Sequence, residues 1–159
     1  MTPSSSDQVY NRSQAQRYTM SSCVFCDILA GDLPSSVVFE DELVSAFMDI
    51  QPVNPGHVLI IPKQHAMFLA DLHEETGGHI FRIAHRIAIA LRRSDVKCEG
   101  VNMFLADGEA AGQEVFHVHL HVFPRFVGDG FGLRFGPEYG NKPAREELDD
   151  AAEQIGSQL

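Results

Sequence analysis

The chain has 159 residues and a net charge of -10, enough for one domain with a substantial core and too acidic for a general nucleic-acid surface, which would show as a basic stripe. No apolar run approaches the ~20 residues of a membrane span, and the Ser-rich start lacks the apolar core of a signal peptide, so a soluble cytoplasmic protein is expected. Three cysteines, an odd count without a secretory signal, speak against a disulfide framework, and any anionic ligand must be held by local donors.

Residues 1–22 are rich in Ser, Gln and Thr with few large aliphatics. They cannot repay the entropy of ordering and are expected to form a flexible tail, leaving residues 23–159 as a single domain. Cys23-Val24-Phe25-Cys26 opens that domain and leads into a short apolar segment stopped by Gly31. The two-residue gap lets both sulfurs reach one tetrahedral ion, with two further ligands from elsewhere. A redox dithiol would want a strand before the first cysteine, where this chain has a polar tail; two buried, inert thiols are the third reading.

Val37-Val38-Phe39 and Val44 to Ile50 flank the acidic turn Glu40-Asp41-Glu42 and read as a hairpin. Asp49 ends the second run just before the turn-rich Gln51-Pro52-Val53-Asn54-Pro55-Gly56; it suits a turn cap or an acceptor for ribose hydroxyls. His57 to Pro62 reads as a buried strand, with histidines at its entrance and, at His65, just beyond its end. Asp71 and Glu74 have capping-box spacing, and Ile80, Ile83, Ala84, Ile87 and Leu91 follow a helical period, so an amphipathic packing helix is expected, with Gly77-Gly78 weakening its first turn or delaying its start. His79 and His85 are read as plain surface or boundary positions, and Cys98 as inert.

Val101 to Ala106 reads as a strand, followed by the glycine-bearing loop Asp107 to Glu114, whose small residues let backbone N–H groups approach a phosphate. The loop runs into Phe116-His117-Val118-His119-Leu120-His121-Val122-Phe123. Period-two alternation reads as a strand with the three histidines on one face and Val118, Leu120 and Val122 on the other. Neighbouring histidines then stand roughly 6.6 Å apart and the outer two about 13 Å apart, whereas imidazole nitrogens lie about 2 Å from a bound ion. A pair could share a metal, but this spacing disfavours all three around one ion, so at least one needs another task, as nucleophile, acid or phosphate donor. Arg125 suits an anion contact or a surface charge, and Pro143 opens a closing helix with Leu148, Ala151, Ala152 and Ile155 on one face.

The alternating histidines, the Cys-x-x-Cys opening, Asp49-Ile50, Pro55-Gly56-His57-Val58-Leu59-Ile60-Ile61-Pro62-Lys63 and the Gly112-Gln113 lead-in together resemble the histidine triad (HIT) family, over about Cys23 to Arg125, with a tail like that of bacterial members close to the Hint branch. The resemblance implies an α+β homodimer, each subunit an antiparallel sheet of about five strands with helices packed on it. It implies hydrolysis or transfer at the α-phosphate of a purine nucleotide conjugate through a covalent nucleotidyl-histidine. His119 matches the nucleophile and His121 the histidine at the scissile phosphate, with loop N–H groups around Gln113, Glu114 and Val115. His57 matches a supporting histidine, Phe25, Ile28, Phe47 and Ile50 the apolar base pocket, and Asp49 the ribose acceptor.

In members that keep Cys-x-x-Cys, structural zinc is held by residues matching Cys23, Cys26, His65 and His117, a closed four-ligand site that positions and does not activate water. Two departures stand out. Ala106 replaces an Asn or Gln common in relatives, and Glu114 stands where the Hint branch commonly has a Ser; a carboxylate beside a phosphate is repulsive. Both leave the nucleophile in place and bear on the leaving group. The expectation is a nucleoside phosphoramidase, with dinucleoside polyphosphate hydrolysis as the alternative within the same chemistry and a nucleotide-binding, zinc-stabilised interaction module as the alternative outside it. His121, where sugar-phosphate transferases usually carry Gln, speaks against those transferases.

Overall fold

The computed structural model describes residues 23–159, so the expected flexible tail, residues 1–22, lies outside the described residues. The chain falls into two compact units that meet at Asp129 and Gly130. The first holds α1 (Val24–Ala30), β1 (Val37–Glu40), β2 (Val44–Met48), β3 (Val58–Pro62), α2 (Glu74–Arg93), β4 (Gly100–Phe104) and β5 (Leu120–Arg125); the second holds α3 (Arg145–Gly156). The five strands form one sheet in the order β1-β2-β3-β5-β4, with every pairing antiparallel.

The unbroken apolar run of β3 is explained by its place: it is the central strand and both its faces are covered. Val58 and Ile60 join Val44, Ala46, Leu120 and Val122 against the apolar stripe of α2, Ile80, Ile83, Ala84, Ile87 and Leu91. Leu59 and Ile61 face the other way and pack with Phe47 against Phe25 of α1. Full burial of a large aliphatic such as Ile60, 0 % exposed, contributes about 1.5–3 kcal/mol. That burial also outweighs the poor helix propensity of Gly77 and Gly78, which lie inside α2 with no delay of its start; each costs about 1 kcal/mol relative to Ala.

Several boundaries differ from expectation: β2 ends at Met48, two residues before Ile50, and β4 ends at Phe104, two residues before Ala106. Asp71 does not cap α2: its carboxylate accepts the Phe68 N–H at 3.1 Å and closes a separate 3₁₀ turn, Leu69–Asp71. The histidine strand starts at Leu120, four residues later than its alternation suggests. Before that point the N–H groups leave the ladder, that of His117 bonding Val115 O at 2.9 Å and that of Val118 bonding Ala66 O at 2.7 Å. In the second unit α3 begins at Arg145, two residues beyond Pro143, with Glu146 and Glu147 in its first turn. No helix among the described residues is long and apolar enough to cross a membrane.

Candidate active site and metal centre

The side of the sheet that carries α1 also carries the three histidines. Phe25 touches two of their rings edge-on, His117 at 5.8 Å and His119 at 5.2 Å between centroids, while the His119 and His121 rings lie 4.9 Å apart. His121 is held in register between Leu59 of β3 and Phe104 of β4, which keeps it in one row with Phe47. His117 packs instead against the His65 ring, 4.8 Å between centroids.

Hydrogen bonds to groups that can only accept or only donate fix where the protons sit. His117 donates Nε2–H to Pro62 O at 2.8 Å, so its Nδ1 lone pair is directed at Cys23 Sγ, 3.5 Å away, and Cys26 Sγ, 3.7 Å away. His65 Nδ1 lies 3.3 Å from Cys26 Sγ. Arms of about 2.3 Å to sulfur and about 2.0 Å to nitrogen at the tetrahedral angle put S and N roughly 3.5 Å apart. These four residues, whose ligand atoms all lie within 4.8 Å of one another, therefore have the donor types and spacing of a closed zinc site. Without a cation the cluster is an awkward home for thiolates: burial, then the hydrogen bond and charge of Cys23 and the charge of Asp27, push the Cys26 thiol up to about 11.

His119 donates Nδ1–H to His117 O at 2.7 Å, which leaves the lone pair on Nε2. Burial pushes its pKa down, against the backbone bond and the charges of Asp49 and Glu114, so the ring is neutral and nucleophilic near pH 7. His121 is reached through His57. The Val53 N–H donates to His57 Nδ1 at 3.1 Å, so His57 carries its proton on Nε2 and passes it as a hydrogen bond to His121 Nδ1 at 2.9 Å. His121 thus presents an Nε2–H. Burial, then the adjacent His119 and His57, hold its pKa down at about 4. Asp49 does two things at once. Oδ1 accepts the Gln51 N–H at 2.8 Å as a turn cap, and Oδ2 lies 3.5 Å from His57 Nδ1 and 3.9 Å from His121 Nδ1.

The loop leading into the histidines is set by Gln113, which is buried. Its side chain accepts the Gly108 N–H at 2.7 Å and donates to Met67 O at 2.8 Å and Val115 O at 3.2 Å, and its own N–H goes to Gly108 O at 3.1 Å. Gln113 is consequently committed to the shape of the loop, and a ligand here would meet the backbone of Glu114 and Val115. Glu114 is exposed next to that anchor. Of the four apolar positions, Phe25 and Phe47 are buried and pack edge-on at 5.8 Å and Ile28 packs beside them half-buried, whereas Ile50, two residues past the end of β2, stands 93 % exposed and outside that cluster. Ala106 is buried and brings no polar group.

Three arrangements escaped the reading of the sequence. Arg125 is no loose surface charge, and the anion it holds lies within the protein: its Nε and Nη2 grip both oxygens of Asp129 at 2.5 and 2.8 Å. Asn54 joins that pair from the loop before His57. His79, read as a plain surface or boundary position, is half-buried and donates Nε2–H to Asp41 at 2.6 Å, a bond the sequence did not announce that ties α2 to the β1–β2 turn. Only the proline and glycine around Asn54 hinted that its loop needed an anchor.

A family profile, HIT domain, matches residues 30–128. The chain is 46 % identical over 111 residues to the Protein hit of Bacillus subtilis, covering 69 % of this chain and 76 % of that one. It is 35 % identical over 139 residues to the adenosine 5'-monophosphoramidase of Schizosaccharomyces pombe, covering 87 % and 98 %. Among solved structures, a HIT family protein from Bacillus anthracis superposes with a TM-score of 0.81 at 38 % identity, over 89 % of this chain and 99 % of that one. A Zn-bound histidine triad family protein from Mycobacterium smegmatis does so with a TM-score of 0.68 at 41 % identity, over 87 % and 99 %.

Proposed function

The chain belongs to the HIT domain family, and on that premise we propose that it hydrolyses nucleoside phosphoramidates or similar purine nucleotide conjugates at the α-phosphate through a nucleotidyl-His119 intermediate. The observation that carries this reading is the His119 ring itself, buried, with Nδ1–H spent on His117 O and Nε2 left with its lone pair beside the Nε2–H of His121. In the first step Nε2 of His119 forms a bond to phosphorus while the bond to the leaving amine breaks and the amine takes up a proton from solvent, which the attacking water of the second step returns. In the second, water attacks phosphorus, the P–N bond to His119 breaks, and the nucleoside monophosphate leaves. His121 Nε2–H and the backbone N–H groups of Glu114 and Val115 receive the charge that builds on the phosphoryl oxygens.

His57 keeps His121 in that role. Phe25, Ile28, Phe47 and Ile50 take the base and Asp49 the ribose hydroxyls. Cys23, Cys26, His65 and His117 hold structural zinc, which when bound stiffens the position of His117 and neutralises the thiolates. Its support is the tetrahedral S···N spacing above, beside the Zn-bound relative. A cytoplasmic homodimer of a single domain over residues 23–159 belongs to the same reading.

The test is intact-mass analysis after mixing with a nucleoside phosphoramidate, together with turnover of His119→Ala. Addition of one nucleotidyl group to the wild type and a loss of about 10³-fold or more in the variant are expected; a variant that is folded and fully active would sink the mechanism. A panel containing dinucleoside polyphosphates ranks the alternative leaving groups by kcat/KM. Tight nucleotide binding with neither adduct nor turnover would favour an interaction module instead.

A further inference from the structure

Joined to His57 through Asn54 is a buried carboxylate that the proposed reaction does not use. The Asp129 side chain is 3 % exposed. It takes two hydrogen bonds from Arg125, at 2.5 and 2.8 Å, a third from Asn54 Nδ2 at 2.9 Å and a weaker one from the Phe126 N–H at 3.4 Å. Arg125 also reaches Asn102 Oδ1 on β4 at 3.4 Å. A carboxylate taken out of water is costly unless it is surrounded by donors in good geometry. Supplying that many donors fixes Asp129 firmly, and with it the groups that bind it.

One of those groups is Asn54, in the loop between β2 and β3. Its side-chain amide donates also to Pro124 O at 2.9 Å, and its backbone carbonyl accepts the His57 N–H at 3.1 Å. The residue before it supplies the Val53 N–H that sits on His57 Nδ1. We propose that Asn54, anchored by the Arg125–Asp129 pair, is a positioning residue that keeps the proton on His121 Nε2 by holding the Val53 N–H against His57 Nδ1.

The physical case is a choice between two proton arrangements of one hydrogen-bonded pair. With Val53 in place, His57 has its proton on Nε2 and His121 turns an N–H outward. Asp49 Oδ2, 3.5 Å from His57 Nδ1, favours the opposite arrangement, in which His57 carries its proton on Nδ1 and accepts at Nε2. His121 would then bear its proton on Nδ1 and face a phosphate with a lone pair, so an attraction becomes a repulsion. The Val53 N–H is the group that decides between them, and Asn54 is the side chain that ties its loop to β5. The proposal takes His121 as the phosphate donor, as in the function proposed above.

The test reads the tautomers directly, by ¹⁵N NMR of the histidine rings in the wild type, Asn54→Ala and Asp129→Asn, beside steady-state kinetics. The wild type should show Nε2–H at both His57 and His121. Asn54→Ala should show mixed tautomers at those two rings, while His119, held by the His117 carbonyl, stays Nδ1–H. Its kcat should fall about ten-fold or more, part of the 10²–10³ that one donor to a developing charge is worth, with KM little moved. Asp129→Asn, which keeps an acceptor for Asn54, should shift the same rings in the same direction by less. Unchanged tautomers at His57 and His121 in both variants would overturn the proposal, as would a disturbance that reaches His119 equally, since that is general loosening. Should Asn54→Ala not fold, Asp129→Asn decides alone. A wild type that turns over no phosphoramidate would refute the proposed function and leave the tautomer result to be read by itself.

Discussion

His117 serves His119 and the cysteine cluster with different atoms: its carbonyl accepts the His119 Nδ1–H at 2.7 Å, while its ring nitrogen Nδ1 lies 3.5 Å from Cys23 Sγ. A disturbance of the cluster therefore reaches the His119 ring through one residue's backbone.

Zinc removal should consequently weaken both fold and turnover. With zinc at about a hundred times its Kd the expected contribution is ~2.7 kcal/mol, equivalent to a fall of about 5–10 °C in Tm for a domain of this size. Calorimetry with and without chelator checks the stability. Metal analysis of Cys23→Ser checks the ligand set, and a wild type purified free of metal with an unchanged Tm would refute the site.

Acid should destabilise the protein through His121. Its pKa is about 4 in the folded chain against an ordinary 6.5, so between those values the unfolded chain binds more protons. The stabilisation is complete above about pH 6.5 and is lost as pH falls toward 4, up to about 3 kcal/mol from this ring. Burial lowers His57 too and adds to the slope. Urea titrations across this range should show it, and His121→Gln should make it shallower without removing it, because burial also holds His117 down at about 4.

Glu114 should tune both affinity and basicity. Its charge raises the pKa of His119, so Glu114→Gln should move the acid limb of kcat/KM to lower pH. The same change removes a repulsion toward phosphates, and KM for a dinucleoside polyphosphate should drop more than KM for a phosphoramidate. An unchanged ratio of the two KM values would show that the carboxylate points away from the substrate.

Gly56 should resist substitution. Its φ of +99° and the 2.8 Å that a Cβ would leave to Val96 Cγ1 combine backbone strain with a clash, and strain alone costs about 1–3 kcal/mol. Gly56→Ala should lower stability by at least that much in urea melts.

What could be read from the chain is what local pattern carries. The β3 run announces a strand covered on both faces, and the His-x-His-x-His alternation announces a shared face even though the ladder begins only at Leu120. Contacts between residues far apart in sequence were not legible. Asn54 and Asp129 meet across 75 positions, and nothing in either neighbourhood reports the other. The strand boundary was hidden for a similar reason, since the Val118 N–H is taken by Ala66, a residue of another segment. Gln113 suited a ligand contact by its place in the loop, and only its three side-chain bonds show it committed to the loop itself.

That commitment separates the shape of the loop from the chemistry it displays. Because Gln113 sets the backbone from within, the outward neighbour at position 114 can change charge, size or polarity while the N–H groups stay where they are. On the function proposed above, a collection of variants at this one position, acidic, neutral and hydroxyl-bearing, would sample leaving-group preference on an unchanged frame, making it a natural starting point for steering the site toward chosen conjugates.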